Sequence, residues 1–341
     1  MPPAEDLLPV HVVTGFLGSG KTTLLKRLLA DAAFADSAVL INELGSVSLD
    51  HLLIDYVEQE TIVLKNGCIC CGVHSDMRTA LAGLLDRRDR GLVPPFRRVF
   101  IETTGMADPT PVLNTLTVDD MLVHHFRLGA VVATVDAVAG LRQLSNYPES
   151  AKQAIVADRL IVTKADLAEP DRVDALVAAL RALNRTALLE VPLHGPDPGG
   201  LRLDEDIASP GRAREILRWL PADDAPGDGY LRPRPANRHA SRFRTVTLTF
   251  DAPLDWTVLG TWLSMLQYRY GDTLLRIKGL LNIAGADRPT VLHGVQHLMH
   301  PPAHLDAWPG GDRRSHLVLI GDLPDEQALL ASYAEFDSWR G

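Results

Sequence analysis

The stretch at residues 14–25 has the residue types and spacing of a polyphosphate-binding loop. It reads TGFLGSGKTTLL, which fits the pattern G-x-x-x-x-G-K-[ST]. Backbone N–H groups of such a loop, aided by the positive end of the following helix dipole, bind phosphate oxygens. The lysine reaches the β- and γ-phosphates, and the threonine hydroxyl takes one position on Mg²⁺. The predicted nucleotide-binding residues of this loop are Gly15, Gly18, Ser19, Gly20, Lys21, Thr22 and Thr23.

A second motif, Thr163-Lys164-Ala165-Asp166, follows an apolar run in the position where GTPases carry N-K-x-D. A carboxylate at Asp166 can accept hydrogen bonds from the guanine N1–H and N2 amino group together, a pair of donors that adenine lacks. Lys164 can lay its alkyl stem along the base. Thr163 replaces the usual Asn, so the motif favours GTP over ATP through Asp166. The alternative is an ordinary cap of a strand-to-helix turn.

Two acidic residues and a glycine complete the predicted chemistry around the phosphates. Glu102 ends an apolar run and is followed by Gly105, as in a variant Walker B segment. A carboxylate there lies near Mg²⁺ or its waters, and the Gly105 N–H can donate to the γ-phosphate. Glu43, after the preceding apolar run, is predicted as a switch carboxylate for the metal or the attacking water. The predicted catalytic residues are Lys21, Thr22, Glu43 and Glu102, with Thr22 and Glu102 on Mg²⁺.

All three cysteines of the chain, Cys68, Cys70 and Cys71, fall within the segment NGCICCG. Thiols this close together, between flanking glycines, suit Zn²⁺ or a neighbouring transition metal. Strand-like alternation predicts that Cys68 and Cys70 point to one side, with His74 or Glu43 as candidates to complete a tetrahedron. Two alternatives stay open, namely inert buried cysteines and a redox role through oxidation of vicinal thiols.

Composition narrows the class of partner. The chain has 341 residues, of which 46% are hydrophobic and 23% charged, as in an ordinary globular protein. A formal net charge of -9 argues against a nucleic-acid partner, because no basic excess is available to neutralise phosphates. No apolar run approaches the ~20 residues of a membrane span, and the acidic N-terminus does not resemble a signal peptide. Clustered cysteines without a disulfide framework indicate a reducing compartment, so we expect a cytoplasmic protein.

Short continuous apolar runs alternate with helical stretches through the first part of the chain. Strands are predicted at residues 10–13, 37–41, 60–64, 98–102, 129–135, 159–162 and 187–191, and helices at 23–30, 75–88 and 173–183. This alternation indicates an α/β domain of the P-loop NTPase type, with a mostly parallel sheet and helices on both faces. The phosphate loop, Glu102 and Thr163 each follow a predicted strand end, where ligands bind in such folds.

After residue 220 the pattern changes. Residues 221–242 are rich in proline, glycine and arginine and are predicted as a linker. Strand patterns at 245–250, 274–283, 290–298 and 316–320, with helices at 255–268 and 324–336, then predict a smaller α+β domain. The predicted domains are therefore 1–220 and 243–341. Ordinary surface or core positions are favoured over a second metal site for the clustered histidines His293, His297, His300 and His304.

The motifs GFLGSGKTTLL, NELG, NGCICC, ETTGMADP and TKAD occur in this order. Together they closely resemble the CobW-like metal-chaperone GTPases, relatives of HypB and UreG. The segments RIKGLLNI, LHGVQH and DAWPGGDRRSHLVLIG resemble the CobW C-terminal domain, so the resemblance covers nearly the whole chain. It implies GTP hydrolysis coupled to the insertion or delivery of a divalent metal, zinc or cobalt, bound at the C-x-C-C motif.

By position, the resemblance assigns metal binding to the three cysteines, phosphate and Mg²⁺ binding to Lys21 and Thr22, and guanine recognition to Asp166. The chain departs from the family pattern at two positions. Ser46 stands where many members carry a second acid after the switch glycine, and Thr163 stands in place of Asn.

We therefore expect a two-domain, Mg²⁺-dependent GTPase whose nucleotide state changes the geometry of a thiolate metal site. Its expected partners are GTP, a divalent transition metal and a client metalloprotein, and a homodimer is compatible with such a protein. One alternative is a nucleotide-gated zinc sensor or storage protein that has no client. Another is an ATP-dependent kinase.

Overall fold

The computed structural model describes residues 7–42, 61–64, 73–192, 203, 243–271 and 273–338. The chain divides into two compact units. The first comprises residues 1–143, 152–177 and 189–204, and the second comprises residues 144–151, 178–188 and 205–341. The predicted linker at 221–242 lies outside the described residues, so the predicted domain boundaries stay predictions.

A seven-stranded sheet forms the centre of the first unit, with its strands in the order β3-β2-β4-β1-β5-β6-β7. The strands are β1 (Leu8–Gly15), β2 (Ser37–Asn42), β3 (Thr61–Leu64), β4 (Arg98–Glu102), β5 (Phe126–Asp136), β6 (Arg159–Thr163) and β7 (Leu188–Glu190). Strands β1 to β6 pair in parallel. Val10, Val12 and Val13 of β1 are all fully buried, as expected for a parallel strand covered on both faces.

The described residues of this part of the chain form six α-helices. They are α1 (Lys21–Ala30), α2 (Val73–Asp89), α3 (Thr110–Val118), α4 (Gly140–Asn146), α5 (Pro148–Val156) and α6 (Pro170–Leu183). Helix α1 buries Leu24, Leu25 and Leu28 in a core cluster that also contains Val13 and Phe100 of the sheet. The helices α1, α2 and α6 match predicted helices, with bounds that differ by a few residues. The sequence did not lead us to predict α3, α4 and α5, because two or three turns give too little periodicity.

The second unit is built on an antiparallel sheet with the order β11-β10-β9-β13-β8, and β12 pairs with β10. Its elements are β8 (Arg244–Phe250), α7 (Trp256–Tyr270), β9 (Leu274–Leu281), β10 (Thr290–Val295), β11 (Leu298–Met299), β12 (Ala303–His304), β13 (Ser315–Gly321) and α8 (Glu326–Ser338). The Asp255 carboxylate accepts from the first backbone N–H groups of α7 and caps it. Trp262 of α7 is buried edge-on against Tyr333 of α8. The α+β prediction is confirmed.

The predicted strand at 290–298 is in fact two strands. Gln296, between β10 and β11, has a positive φ of 50°, a conformation that ends the extended run and turns the chain. Among the described helices, none is both long and apolar enough to cross a membrane.

Candidate nucleotide site

The loop between β1 and α1 adopts a backbone that requires glycine. Gly15, Gly18 and Gly20 have φ angles of 139°, 70° and 92°, in the region that L-residues rarely occupy. A Cβ at Gly15 would lie 2.4 Å from the carbonyl oxygen of Thr134, so the loop packs directly against β5. Gly20 immediately precedes α1. The free N–H groups of the first helical turn therefore lie next to the loop, as anion binding requires.

Lys21, the first residue of α1, directs its ammonium group back into the loop. Its Nζ donates to the carbonyl oxygens of Gly15 at 3.0 Å and Phe16 at 3.2 Å. The residue is only 8% exposed. Burial lowers the pKa of the Lys21 ammonium, and the nearby Glu102 carboxylate partly opposes that shift. A buried cation fixed inside the loop suits the predicted contact with the β- and γ-phosphates.

Thr22 and Glu102 meet beside this cation although 80 residues separate them in the chain. Thr22 Oγ1 donates a hydrogen bond to Glu102 Oε1 at 2.7 Å. Glu102 ends β4, which pairs in parallel with β1, so the loops after both strands open at the same edge of the sheet. The structure thus brings together the hydroxyl and the carboxylate that we predicted as Mg²⁺ ligands. Both supply oxygen atoms, the donors that Mg²⁺ prefers.

Thr163 braces the phosphate loop. Its Oγ1 donates to the carbonyl oxygen of Ser19 at 2.7 Å and lies 3.3 Å from that of Val135. The hydroxyl oxygens of Ser19 and Thr134 are 2.6 Å apart, so Ser19 is tied to β5 as well. Because the Thr163 proton is engaged with loop backbone, the prediction of base recognition at this motif depends on Asp166.

Lys164 also binds the phosphate loop. Its Nζ donates to the Gly18 carbonyl oxygen at 2.8 Å and to Asp136 Oδ2 at 2.6 Å. Its φ of 57° is left-handed, which is uncommon for a residue with a side chain. Asp166 follows in a short 3₁₀ turn, Ala165–Leu167, and its side chain is exposed. Asp136 was missed from the sequence, although it ends a strand as Glu102 does.

The loop at residues 103–109, which follows β4, lies against the phosphate loop. Thr103 Oγ1 donates to Thr14 Oγ1 at 2.9 Å. Gly105 is so close to the phosphate loop that an added Cβ would lie 2.6 Å from the Leu17 nitrogen. Gly105 thus lies against the loop that is predicted to bind the phosphates. The assigned roles of all these residues stay predictions.

Several predicted site residues lie outside the described part of the chain. They are Glu43, Cys68, Cys70 and Cys71, together with Ser46. Within the described residues, no three His, Cys, Asp or Glu side chains are arranged to hold a metal ion. This includes the histidines of the second unit, where His304 Nδ1 lies 3.3 Å from Thr290 Oγ1 and the His300 N–H donates to the His293 carbonyl oxygen.

Two family models match the chain. Residues 9–189 match the CobW/HypB/UreG nucleotide-binding domain. Residues 243–336 match the cobalamin synthesis protein cobW C-terminal domain. The first match alone covers more than half of the chain and contains every described residue of the candidate site.

Individual relatives agree with these matches. The zinc chaperone YjiA of Escherichia coli (strain K12) is 32% identical over 336 residues, which cover 96% of this chain and 98% of that protein. The zinc-regulated GTPase metalloprotein activator 1 of Schizosaccharomyces pombe is 31% identical over 201 residues. These residues cover 56% of this chain and 47% of that protein. The crystal structure of Zn(II)-bound YjiA GTPase from E. coli has a TM-score of 0.68 and 27% identity, covering 97% of this chain and 99% of that one.

Proposed function

Because the chain belongs to the CobW/HypB/UreG family of P-loop GTPases, we propose that it hydrolyses GTP with Mg²⁺ and uses this cycle to hold and release zinc. Zinc is the cargo, and a metalloprotein is the recipient. The two relatives above are named as a zinc chaperone and a zinc-regulated GTPase metalloprotein activator. Those names favour zinc over cobalt as the cargo, whereas the sequence alone gives no preference between the two metals.

The observation that carries the GTPase half of the proposal is the hydrogen bond between Thr22 and Glu102 beside the buried ammonium of Lys21. This arrangement supplies one fixed cation and two oxygen ligands at the mouth of a phosphate-binding loop. Thr22 and Glu102 would hold Mg²⁺, which neutralises charge on the β- and γ-phosphate oxygens when bound. Lys21 would bind the same phosphates. Its ammonium is fixed before the reaction begins, so it can stabilise the negative charge of the transition state without having to move.

The metal half of the proposal depends on the donor set of the C-x-C-C motif. Cys68, Cys70 and Cys71 place three thiols within four residues, and thiolates are the ligands that zinc prefers in protein sites. Since a thiol must lose its proton to bind zinc, zinc affinity depends on pH and on the charges around the thiols. We propose that GTP and GDP favour different geometries of this segment and so different zinc affinities.

The decisive experiment measures zinc binding and zinc transfer in the presence of each nucleotide. The full chain is loaded with zinc, and transfer to an apo-enzyme that requires zinc for activity is followed with GTP, with GDP and without nucleotide. Faster transfer with GTP than with GDP supports a chaperone. A nucleotide-dependent zinc affinity without any directed transfer would favour the sensor or storage alternative. Equal zinc affinity with all nucleotides would refute the coupling.

A parallel measurement tests the nucleotide itself. Competition of GTP and ATP for the site, followed by phosphate release with and without Mg²⁺, gives both the base preference and the metal requirement. We expect GTP to bind more tightly and hydrolysis to stop without Mg²⁺. Hydrolysis of ATP at the rate of GTP would contradict the base assignment and reopen the kinase alternative.

A further inference from the structure

Helix α5 supplies two neighbouring side chains that hold the loop at residues 103–109. Gln153 Nε2 donates to the carbonyl oxygen of Ala107 at 2.9 Å and to that of Gly105 at 3.2 Å. Lys152 Nζ donates to Asp108 Oδ2 at 2.7 Å. The Asp108 carboxylate also accepts from the Thr110 N–H at 3.0 Å. Side chains of α5 therefore hold Gly105, Ala107 and Asp108, and the single amide group of Gln153 holds the first two.

The amide of Gln153 is buried and its orientation is unambiguous. The residue is 1% exposed. Both atoms that face Nε2 are carbonyl oxygens, which only accept hydrogen bonds, so the nitrogen and not Oε1 must face them. Within the described residues, Oε1 itself is buried and has no hydrogen-bond partner. Leaving an acceptor unpaired is costly. A methionine of similar length would avoid that cost, but it would leave the carbonyl oxygens of Gly105 and Ala107 without the donor that Gln153 supplies. Packing alone therefore does not account for a glutamine at this position.

The held loop is in direct contact with the phosphate loop through Gly105. A Cβ there would lie 2.6 Å from the Leu17 nitrogen and 2.7 Å from the Leu17 Cα. A glycine has the widest choice of backbone angles, so its neighbours alone do not fix the direction of its peptide groups. The hydrogen bond from Gln153 to the Gly105 carbonyl oxygen removes part of that freedom.

We propose that Gln153 is a positioning residue for GTP hydrolysis, which holds Gly105 so that its backbone N–H meets the γ-phosphate. The proposal rests on the proposed GTPase function. Gln153 acts through the loop and contacts no phosphate itself. Only a triphosphate carries the γ-phosphate, so loss of the Gln153 hydrogen bonds affects GTP and its hydrolysis more than it affects GDP.

The first test replaces the amide by an apolar group of similar length. In the full chain with Mg²⁺, we expect Gln153→Met to lower kcat for GTP by about 10-fold to 100-fold, since small displacements in an active site cost up to ~100-fold. Affinity for an imido analogue of GTP should fall about 10-fold, because the hydrogen bond from the Gly105 N–H to the charged γ-phosphate is misaligned, while affinity for GDP, which lacks that phosphate, stays within about 2-fold of the parent value.

The matched control is Gln267→Met in the second unit. Gln267 is also buried, and its Nε2 also donates to a backbone carbonyl oxygen, that of Gln296, at 2.8 Å. This control loses the same kind of hydrogen bond away from the loop, so it should lower the urea midpoint without changing the ratio of triphosphate to diphosphate affinity. Gln153→Asn, which keeps the amide but shortens its reach, serves as a second variant if Gln153→Met does not fold.

The outcomes separate the two proposals. A parent protein that binds no guanine nucleotide overturns the proposed function and this inference with it. A parent that hydrolyses GTP, with Gln153→Met retaining both its kcat and its preference for the triphosphate, overturns the inference alone. Equal losses of GTP and GDP affinity would assign Gln153 a purely structural role and would also overturn it.

Discussion

At the scale of single residues, the proposed GTP hydrolysis depends on the buried ammonium of Lys21. We expect Lys21→Ala to lower the rate of GTP hydrolysis by about 100-fold or more, because removal of one fixed group that stabilises transition-state charge typically costs that much. Phosphate release with Mg²⁺ measures the effect. Lys26→Ala on the same helix, where the side chain is exposed, is the control and should hydrolyse GTP normally. Near-normal turnover in Lys21→Ala would contradict the phosphate-loop assignment.

Base recognition is a second property of a single residue. We expect Asp166→Asn to weaken GTP binding by roughly 10-fold to 100-fold, because hydrogen bonds to a charged group contribute about 1.5–3 kcal/mol. ATP binding should change little, since adenine lacks the paired donors that the carboxylate accepts. Competitive titration of both nucleotides measures the two affinities. If both fall by the same factor, Asp166 does not read the base.

At the scale of elements, the ion pair between α5 and the loop at 103–109 adds stability that depends on pH. Burial alone would raise the pKa of the Asp108 carboxyl, but hydrogen bonds from Lys152 and Thr110 outweigh burial and lower it. A lowered pKa in the folded state stabilises the protein above the unfolded value of about 3.9. That contribution is lost as the pH falls through the folded value, below about 4.

Lys152→Met tests this contribution. At pH 7 we expect it to reduce the free energy of unfolding by about 1 kcal/mol, the scale of one partly exposed ion pair. Urea titration at pH 7 and below pH 4 measures the difference from the parent, which should shrink at the lower pH. A difference that stays constant with pH would mean that the lysine acts through packing instead.

The elements that could be predicted are those whose sequences leave little choice. In strands such as β1, the β-branched residues Val10, Val12 and Val13 favour a buried strand of a parallel sheet. The phosphate loop was found because its residues are adjacent in sequence. Asp136 and Gln153 were missed, because their partners, Lys164 and Gly105, lie 28 and 48 residues away in the chain. Such pairs follow from tertiary packing, which no local pattern reports.

At the scale of the whole molecule, nucleotide and metal should affect one another. We expect replacement of Cys70 and Cys71 by serine to lower zinc affinity by orders of magnitude, because a hydroxyl stays protonated where a metal-bound thiol ionises. Zinc should change the affinity for GTP in the parent and not in the variant, since linkage between two binding sites is reciprocal. Titration calorimetry with and without zinc measures both effects. Equal zinc affinity in parent and variant would exclude the cysteines as ligands.

The order of the strands in the first sheet has a consequence for how the protein folds. The central strand β1 pairs with β4 on one side and β5 on the other, and neither is its neighbour along the chain. The hydrogen bonds that assemble the site join residues 80 and 144 positions apart. Contacts between residues so far apart in sequence are associated with slow folding, and the nucleotide site needs residues from strands that pair only in the folded sheet. We therefore expect GTP to stabilise the protein by mass action, through binding to the folded state.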